Sequence, residues 1–225
     1  GILTVGYYGG SFNFVEIAES GLPSSIRVWV AIAISFGLLM KLAAAGLHVW
    51  LPYAHAESPT PISAFLSPAM IGIGAYAFLR IFVFILPSIY QSIVVVITLW
   101  GLLTMIYGGL MAYAQDDIKR LLAYSSVSHM GFVTLGIFTL NQTGIEGGIL
   151  QMINHGIITG GLFLCIGMIY ERTHTRMIED YGGLAKTVPV YMIFFTIFTL
   201  AAIGFPGLNA FVGEFLIISG AFKAN

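Results

Sequence analysis

The sequence predicts an all-helical protein that crosses a membrane about six times, with two of the crossings broken. Three observations predict it. The 225 residues are 58% hydrophobic and only 8% charged, with mean hydropathy +0.92, whereas soluble domains carry roughly 25% charged residues. The apolar runs are continuous over about 20 residues, the length that crosses a bilayer core as helix. Outer-membrane barrels would instead show alternating segments of about ten. Finally, two runs are interrupted by Gly and Pro near an ionisable residue, a combination that marks a polar cavity or an ion path.

Taken in order, residues 1–24 read as an interhelical loop and residues 25–225 as the transmembrane domain. The first crossing runs from about Ser25 to Glu57. It is half as long again as the roughly 20 residues a span needs, so Gly46 and Pro52 are read as a break inside it. Pro59 and Pro61 reset the chain, and a second crossing covers about Ile62–Leu86, with a kink expected at Pro68. A third covers about Gln91–Ala114. QDDIKR then separates it from a fourth at about Leu121–Leu140. NQTGIEG reads as a polar turn before a fifth crossing, about Gly147–Tyr170. There Gly156 and Gly160 share a face and permit close helix approach. ERTHTRMIEDYGGLAKT is the longest polar connection. Pro189 opens a sixth crossing, broken at GFPG (Gly204–Gly207) and resumed as FVGEFLIISGAF. No Met stands at the start, and AFKAN ends on an apolar helix, so the chain reads as a piece of a longer protein.

Lys119, Arg120, Arg172, Arg176 and Lys186 fall on one side of these crossings, and Arg27, Arg80 and Lys223 on or near the other. The bias makes the first face cytoplasmic. A net charge of −1 gives no reason to expect nucleic acid, and a single cysteine, Cys165, excludes a disulfide framework. His48, His55 and Glu57 have the spacing of no recognised metal site, and there is no phosphate loop or catalytic triad.

The candidate residues are the ionisable groups at membrane depth. Lys41 lies about a dozen residues inside the first crossing, just before its break, where snorkelling to the surface is a poorer account than a polar cavity. Glu214 lies just after the second break, so the two broken crossings form a weakly symmetric pair, as in secondary transporters. His155 is a lone imidazole in an apolar helix, suited to relaying protons. His129 stands among Ser125, Ser126 and Ser128, and Lys119 sits at a helix start as a cytoplasmic anchor. His48 and His55 flank the first break and are read as hydrogen-bonding its freed carbonyls.

Several strings carry a resemblance: KLAAAGLHVWLPYAHAESPTPIS, AQDDIKRLLAYSSVSHMGF, ILQMINHGIITGGLF, YERTHTRMIEDYGGLA and GFPGLNAFVGEFLI. From about residue 36 onward the chain resembles the antiporter-like membrane subunits of respiratory complex I, of the subunit M or mitochondrial chain 4 type. The resemblance implies part of a fourteen-helix fold of two inverted five-helix repeats, related to Mrp-type cation–proton antiporter subunits. It implies proton translocation coupled to NADH–quinone electron transfer elsewhere. No cofactor is expected on this chain. NADH, FMN, iron–sulfur clusters and quinone are expected in partner subunits. The expected partners are other membrane subunits and the lipid bilayer, and the expected location is a bacterial or archaeal plasma (inner) membrane.

By matching position, Lys41 is similar to the central lysine of the first repeat, Glu214 to the terminal charge of the second, and His155 to a histidine between them. Lys119 and His129 match within the DIKRLLAYSSVSHMG string. Three positions depart. Gly72 stands where the family's KMGxYGxLR string has lysine, Ala43–Gly46 replaces PLFP, and Tyr53 replaces the aspartate of WLPDAH. Loss of that lysine keeps two alternatives open: a self-standing or Mrp-like antiporter subunit, and a hydrogenase-linked relative. A decayed, non-transporting scaffold fits less well with retention of Lys41, Glu214 and both breaks.

Overall fold

In the computed structural model, which describes residues 1–20 and 22–224, the chain is helical almost throughout. No strand occurs among the described residues; one isolated antiparallel bridge joins Asp117 to Met177. The first 24 residues contain two short helices, α1 (Ile2–Gly9) and α2 (Phe14–Ser20). The first broken element is α3 (Ser24–Lys41) and α4 (Trp50–Glu57). The second crossing is α5 (Thr60–Phe65), a π-helical segment Leu66–Ile71, α6 (Gly72–Phe78) and a second π-helical segment Leu79–Ile85. Then come α7 (Pro87–Tyr113), α8 (Ile118–Ile137) and α9 (Gln142–Thr173), the short α10 (Leu184–Thr187), and the second broken element, α11 (Pro189–Ala202) and α12 (Asn209–Lys223).

Four stretches are long and apolar enough to cross a membrane: Ser24–Lys41, Thr60–Val83, Ile93–Tyr113 and Gln142–Thr173. With the more polar α8 and the α11–α12 pair, the elements occupy the six expected places. Trp29, Phe36, Val95, Leu99, Leu110, Ile157, Phe194 and Phe215 are exposed around the outside. So much outward apolar surface would be a liability in water and is what lipid tails cover.

The structure corrects the sequence reading between α8 and α9. NQTGIEG is not a turn. Asn141 caps α9, its Oδ1 accepting from the N–H of Gly144 at 2.9 Å, and the helix begins at Gln142. At 32 residues α9 is about 48 Å long, well beyond the hydrocarbon core. Pro68 sits inside the first π-helical segment, where a wider turn accommodates the missing N–H.

α8 and α9 are the axis of the molecule. The larger core, including Leu39, Leu51, Phe78, Phe82, Met130 and Ile137, joins α3–α7 to α8. A smaller one, including Leu122, Ile158, Phe163 and Ala201, joins α8 and α9 to the second broken element. Small residues set the spacing. A Cβ on Gly131 of α8 would collide with the Met105 backbone of α7, and one on Gly108 would come within 2.6 Å of the Ser128 nitrogen. On α9, Gly156 lies against Pro68 and Gly160 against Ala64 and Pro68, so the predicted glycine face meets the second crossing. Close backbone approach is how membrane helices gain packing where lipid offers no hydrophobic drive.

Gly131→Ala should therefore destabilise the protein by about 1–3 kcal/mol through overpacking. Gly72→Ala, whose added methyl would meet only Met152 Cγ at 3.9 Å, should be neutral or stabilising by up to about 1 kcal/mol. Unfolding in detergent under graded denaturant checks both.

Candidate functional site

The site begins with the two breaks, which use one backbone motif. After Lys41, Leu42 ends α3 and Ala43 turns left-handed (φ 60). The Ala43 N–H then bonds Met40 O at 3.2 Å and the Ala44 N–H bonds Leu39 O at 2.9 Å. This is a Schellman closure, which satisfies carbonyls that the helix end leaves free. After α11, Ile203 ends the helix and Gly204 turns left-handed (φ 67). Gly204 N–H bonds Ala201 O at 3.2 Å and Phe205 N–H bonds Leu200 O at 3.0 Å. Three residues on, each break has a second left-handed glycine, Gly46 (φ 87) and Gly207 (φ 97). Each also repeats a short turn, Leu47 N–H to Ala44 O and Leu208 N–H to Phe205 O.

The two breaks are closed from outside by different means. At the first, Trp50 Nε1 donates to Met40 O at 3.0 Å, and α7 satisfies both polar groups of Ala45. Its N–H donates to Thr104 Oγ1 at 3.0 Å, and its carbonyl accepts from Trp100 Nε1 at 2.9 Å. His48 hydrogen-bonds the Ala44 backbone inside the break, as the sequence had suggested, whereas neither ring nitrogen of His55 has a partner among the described residues. His48 lies edge-on to Tyr107, and His55 stacks on Phe163. His55 reaches past the break because α4 packs on α8, which brings its ring to Phe163 of α9 and which the sequence pattern does not reveal. At the second break, Asn209 and Asn154 of α9 are paired: Asn154 Nδ2 donates to Asn209 O at 2.8 Å, and Asn209 Nδ2 to Asn154 Oδ1 at 3.2 Å.

Glu214 lies ten residues beyond Gly204, on the first turns of α12. Its carboxylate rests over Gly204, where a Cβ would collide with Oε2, and its Oε1 accepts from Gln151 Nε2 at 3.1 Å. One helical turn along α9 from Gln151 is His155, whose ring centroid is 5.8 Å from that of His129 on α8. His129, Gln151, His155, Ser125, Thr159 and Ala202 all line a cavity of ≈ 10 Å³, about the size that holds one water. Gln151 Oε1 and His155 Nε2 are buried there with no hydrogen-bond partner among the described residues. A buried polar atom left so costs about 1–3 kcal/mol. Such a place is suited to a transient partner.

Lys119 stands at the end of the same region. It is 2% exposed, with Nζ donating to Ser58 O at 3.0 Å and lying 5.0 Å from the centre of the Tyr170 ring. Asp117 caps α8 on the N–H groups of Lys119 and Arg120 and pairs with Arg176 Nε at 3.2 Å. Arg176 also reaches the Ala56 carbonyl. The long polar connection is thus not merely a solvated face; it fastens the start of α8 to the end of the first broken element.

Of the five predicted path residues, His129 and His155 are neighbours, and Glu214 joins them through Gln151. Lys119 approaches from one end. Lys41 stands apart: it is half-buried at the end of α3, with no hydrogen bond or ion pair among the described residues. Gln151 and the Asn154–Asn209 pair were missed, although amides inside an apolar span are a readable signal of interhelical bonding.

The family described as "NADH:quinone oxidoreductase/Mrp antiporter, TM" matches residues 1–225. The chain belongs to that family. It is similar to NADH-quinone oxidoreductase subunit M of Rhodobacter capsulatus, with 42% identity over 204 residues, covering 91% of this chain and 40% of the relative. It is also similar to NADH-ubiquinone oxidoreductase chain 4 of Chondrus crispus, 44% identical over 202 residues and covering 90% and 41%. The chain thus spans about two-fifths of the curated relatives it matches. Among solved structures, a chain of respiratory complex I from Thermus thermophilus superposes with TM-score 0.93 at 34% identity, over 100% of this chain and 48% of that one. A chain of the Mrp complex from Dietzia sp. gives 0.88 at 25%, over 99% and 42%. An archaeal membrane-bound sulfane sulfur reductase gives 0.89 at 29%, over 98% and 46%. The protein is therefore a multi-pass membrane protein of the complex I and Mrp antiporter family, helical almost throughout its described residues.

Gly204→Ala should strain the left-handed turn and push the Glu214 carboxylate off its seat, destabilising by about 1–2 kcal/mol. Isotope-edited infrared spectroscopy should show the shifted Glu214 carboxyl band. Gly182→Ala, with no atom within 4 Å of the added methyl, is the control and should change neither.

Proposed function

We propose that this chain carries protons across the membrane within a larger redox-driven assembly, the energy coming from NADH–quinone electron transfer in other subunits. The observation that carries the reading is the line of buried groups from His129 and His155 through Gln151 to Glu214, beside a cavity the size of one water. Protons enter from the cytoplasmic face, which bears Lys119, and pass by way of Lys41, His129, His155 and Glu214 to the other side. Lys41 acts as a switchable base. His129 and His155 relay, since an imidazole accepts on one nitrogen and donates from the other. Glu214, held by Gln151 over the second break, is the terminal store. The names of the subunit M and chain 4 relatives support coupling to NADH oxidation and a place among other membrane subunits. The bacterial relatives support the plasma membrane as its location. NADH, flavin, iron–sulfur clusters and quinone then belong to partner subunits.

A second reading, an Mrp-like cation–proton antiporter subunit without redox partners, draws on the Dietzia likeness and on Gly72. That position faces a groove lined by Pro68, Tyr76, Met152 and Gly156 and has no charge to offer.

In vesicles of the native membrane, Lys41→Met and Glu214→Gln in the full-length protein should each lower the protons moved per NADH oxidised while electron transfer continues. Unchanged pumping in both would sink the proposal. Purification of the tagged protein without flavin or iron–sulfur absorbance would favour the Mrp-like reading.

A further inference from the structure

One cation at the cytoplasmic end of α8 is left without a counter-charge. Asp117 is already engaged through both oxygens. Its Oδ1 accepts from the Lys119 and Arg120 N–H groups, and its Oδ2 pairs with Arg176 Nε at 3.2 Å. The Lys119 ammonium donates to Ser58 O at 3.0 Å. Arg120 has no such partner. Its guanidinium forms no ion pair among the described residues, and its Nε is buried without a hydrogen-bond partner there. What it does meet is an aromatic ring: it stands 5.3 Å from the centre of Tyr53 on α4, at the place of the aspartate in WLPDAH. A ring face attracts a cation without neutralising it, whereas a carboxylate there would do both.

The surface beside this cation faces outward and changes character with depth. Tyr53 is 59% exposed. On α7, which packs along α8, Leu103, Ile106 and Leu110 are each more than half exposed. Spaced three and four residues apart, they form one stripe on the helix. The stripe rises to Tyr113, the last residue of α7 and 93% exposed, and a short turn then leads into α8. Tyr107 of α7 and Tyr124 of α8 tie the two helices to α4's side of the molecule. Both lie against His48, with ring centroids 4.9 and 5.8 Å from its own. Tyr124 stands one turn beyond Arg120. A cation and tyrosines thus sit at the cytoplasmic end, with aliphatic side chains below them.

We propose that this corner binds an anionic phospholipid of the cytoplasmic leaflet, with its phosphate on the Arg120 guanidinium and an acyl chain along Leu110, Ile106 and Leu103. The guanidinium fork suits phosphate oxygens, and a basic side chain at that surface attracts anionic lipid. Three observations favour lipid over a protein carboxylate. The cation lies in the first turn of α8, at the depth of headgroups. Tyrosines, the residues that anchor at that depth, surround it. The stripe beneath is aliphatic over seven residues of helix, about 10 Å, and offers a protein partner no polar group. The proposal needs only the placement in a membrane and stands apart from the proton-carrying reading.

The test is native mass spectrometry of the full-length protein in detergent, titrated with phosphatidylglycerol and, separately, with phosphatidylcholine. The wild type should bind its first phosphatidylglycerol about fivefold more tightly than its first phosphatidylcholine, the contribution of one basic side chain facing anionic lipid. Arg120→Gln should abolish that preference. Tyr53→Asp should abolish it too, because an internal carboxylate then neutralises the guanidinium; it keeps Arg120 and decides the matter if Arg120→Gln does not fold. Arg172→Gln, at an exposed cation of the same face, should leave the preference intact. No preference in the wild type, its survival in Arg120→Gln or Tyr53→Asp, or its loss in Arg172→Gln would overturn the site. A photoreactive p-benzoylphenylalanine in place of Tyr53 checks the occupant in the native membrane. Irradiation should join it to lipid, and a cross-link to another protein would give the corner to a neighbouring subunit and overturn the proposal.

Discussion

The closure of two broken helices at membrane depth is the constraint on which the rest of the structure depends. A helix that stops inside a bilayer exposes carbonyls and N–H groups that lipid cannot satisfy, each at a cost of several kcal/mol. Here both ends are closed locally by the same 6→1 and 5→2 bonds around a left-handed residue, Ala43 in one and Gly204 in the other. What remains open is closed by neighbours: Trp100 and Thr104 of α7 at the first break, Asn154 of α9 at the second. The breaks therefore require α7 and α9 to pass close by, and the glycines of α8 and α9 allow it.

The shared motif also gives the two elements a common register. Glu214 lies ten residues beyond Gly204, and the residue ten beyond Ala43 is Tyr53. Lys41 precedes Ala43 by two, and the residue two before Gly204 is Ala202, which lines the cavity beside His129 and His155. Lys41 and Glu214 thus stand on opposite sides of the same backbone turn. Tyr53 is turned outward, with the Arg120 guanidinium 5.3 Å from its ring centre. The first break keeps its charge before the turn and the second keeps it after.

Between the breaks, the α8–α9 pair is polar on its shared inner side and apolar elsewhere. Ser126, Thr134, Gln151, Asn154, His155 and Thr159 are all buried. Burying so many polar groups is favourable only when they bond to one another, and most do. Among the described residues the exceptions include Gln151 Oε1 and His155 Nε2, which line one small cavity, and also Ser35 Oγ, His48 Nδ1, Arg120 Nε and both nitrogens of His55.

Much of this was legible in the sequence by itself. Composition and run length determined the fold class, because a chain with so few charges must hide its backbone in helices. Gly46 and GFPG determined that two crossings are broken, since those residues do not continue a helix without exposing backbone groups, whereas Pro52 lies in the first turn of α4. Lys41, His155 and Glu214 were visible as ionisable groups where ionisable groups are costly. Only the tertiary structure decided which of them meet. His55 and His48 stand equally near one break in the sequence, yet α4 carries His55 across to Phe163 on α9 and leaves His48 between tyrosines. Likewise Gln151, 63 positions away from Glu214, meets it because Gly213 and Gly220 let α12 press against α9. Local pattern reports how each residue suits its own helix. Which helices cross, and at what level, is set by close packing between segments far apart in the chain, and no periodicity within one segment records it.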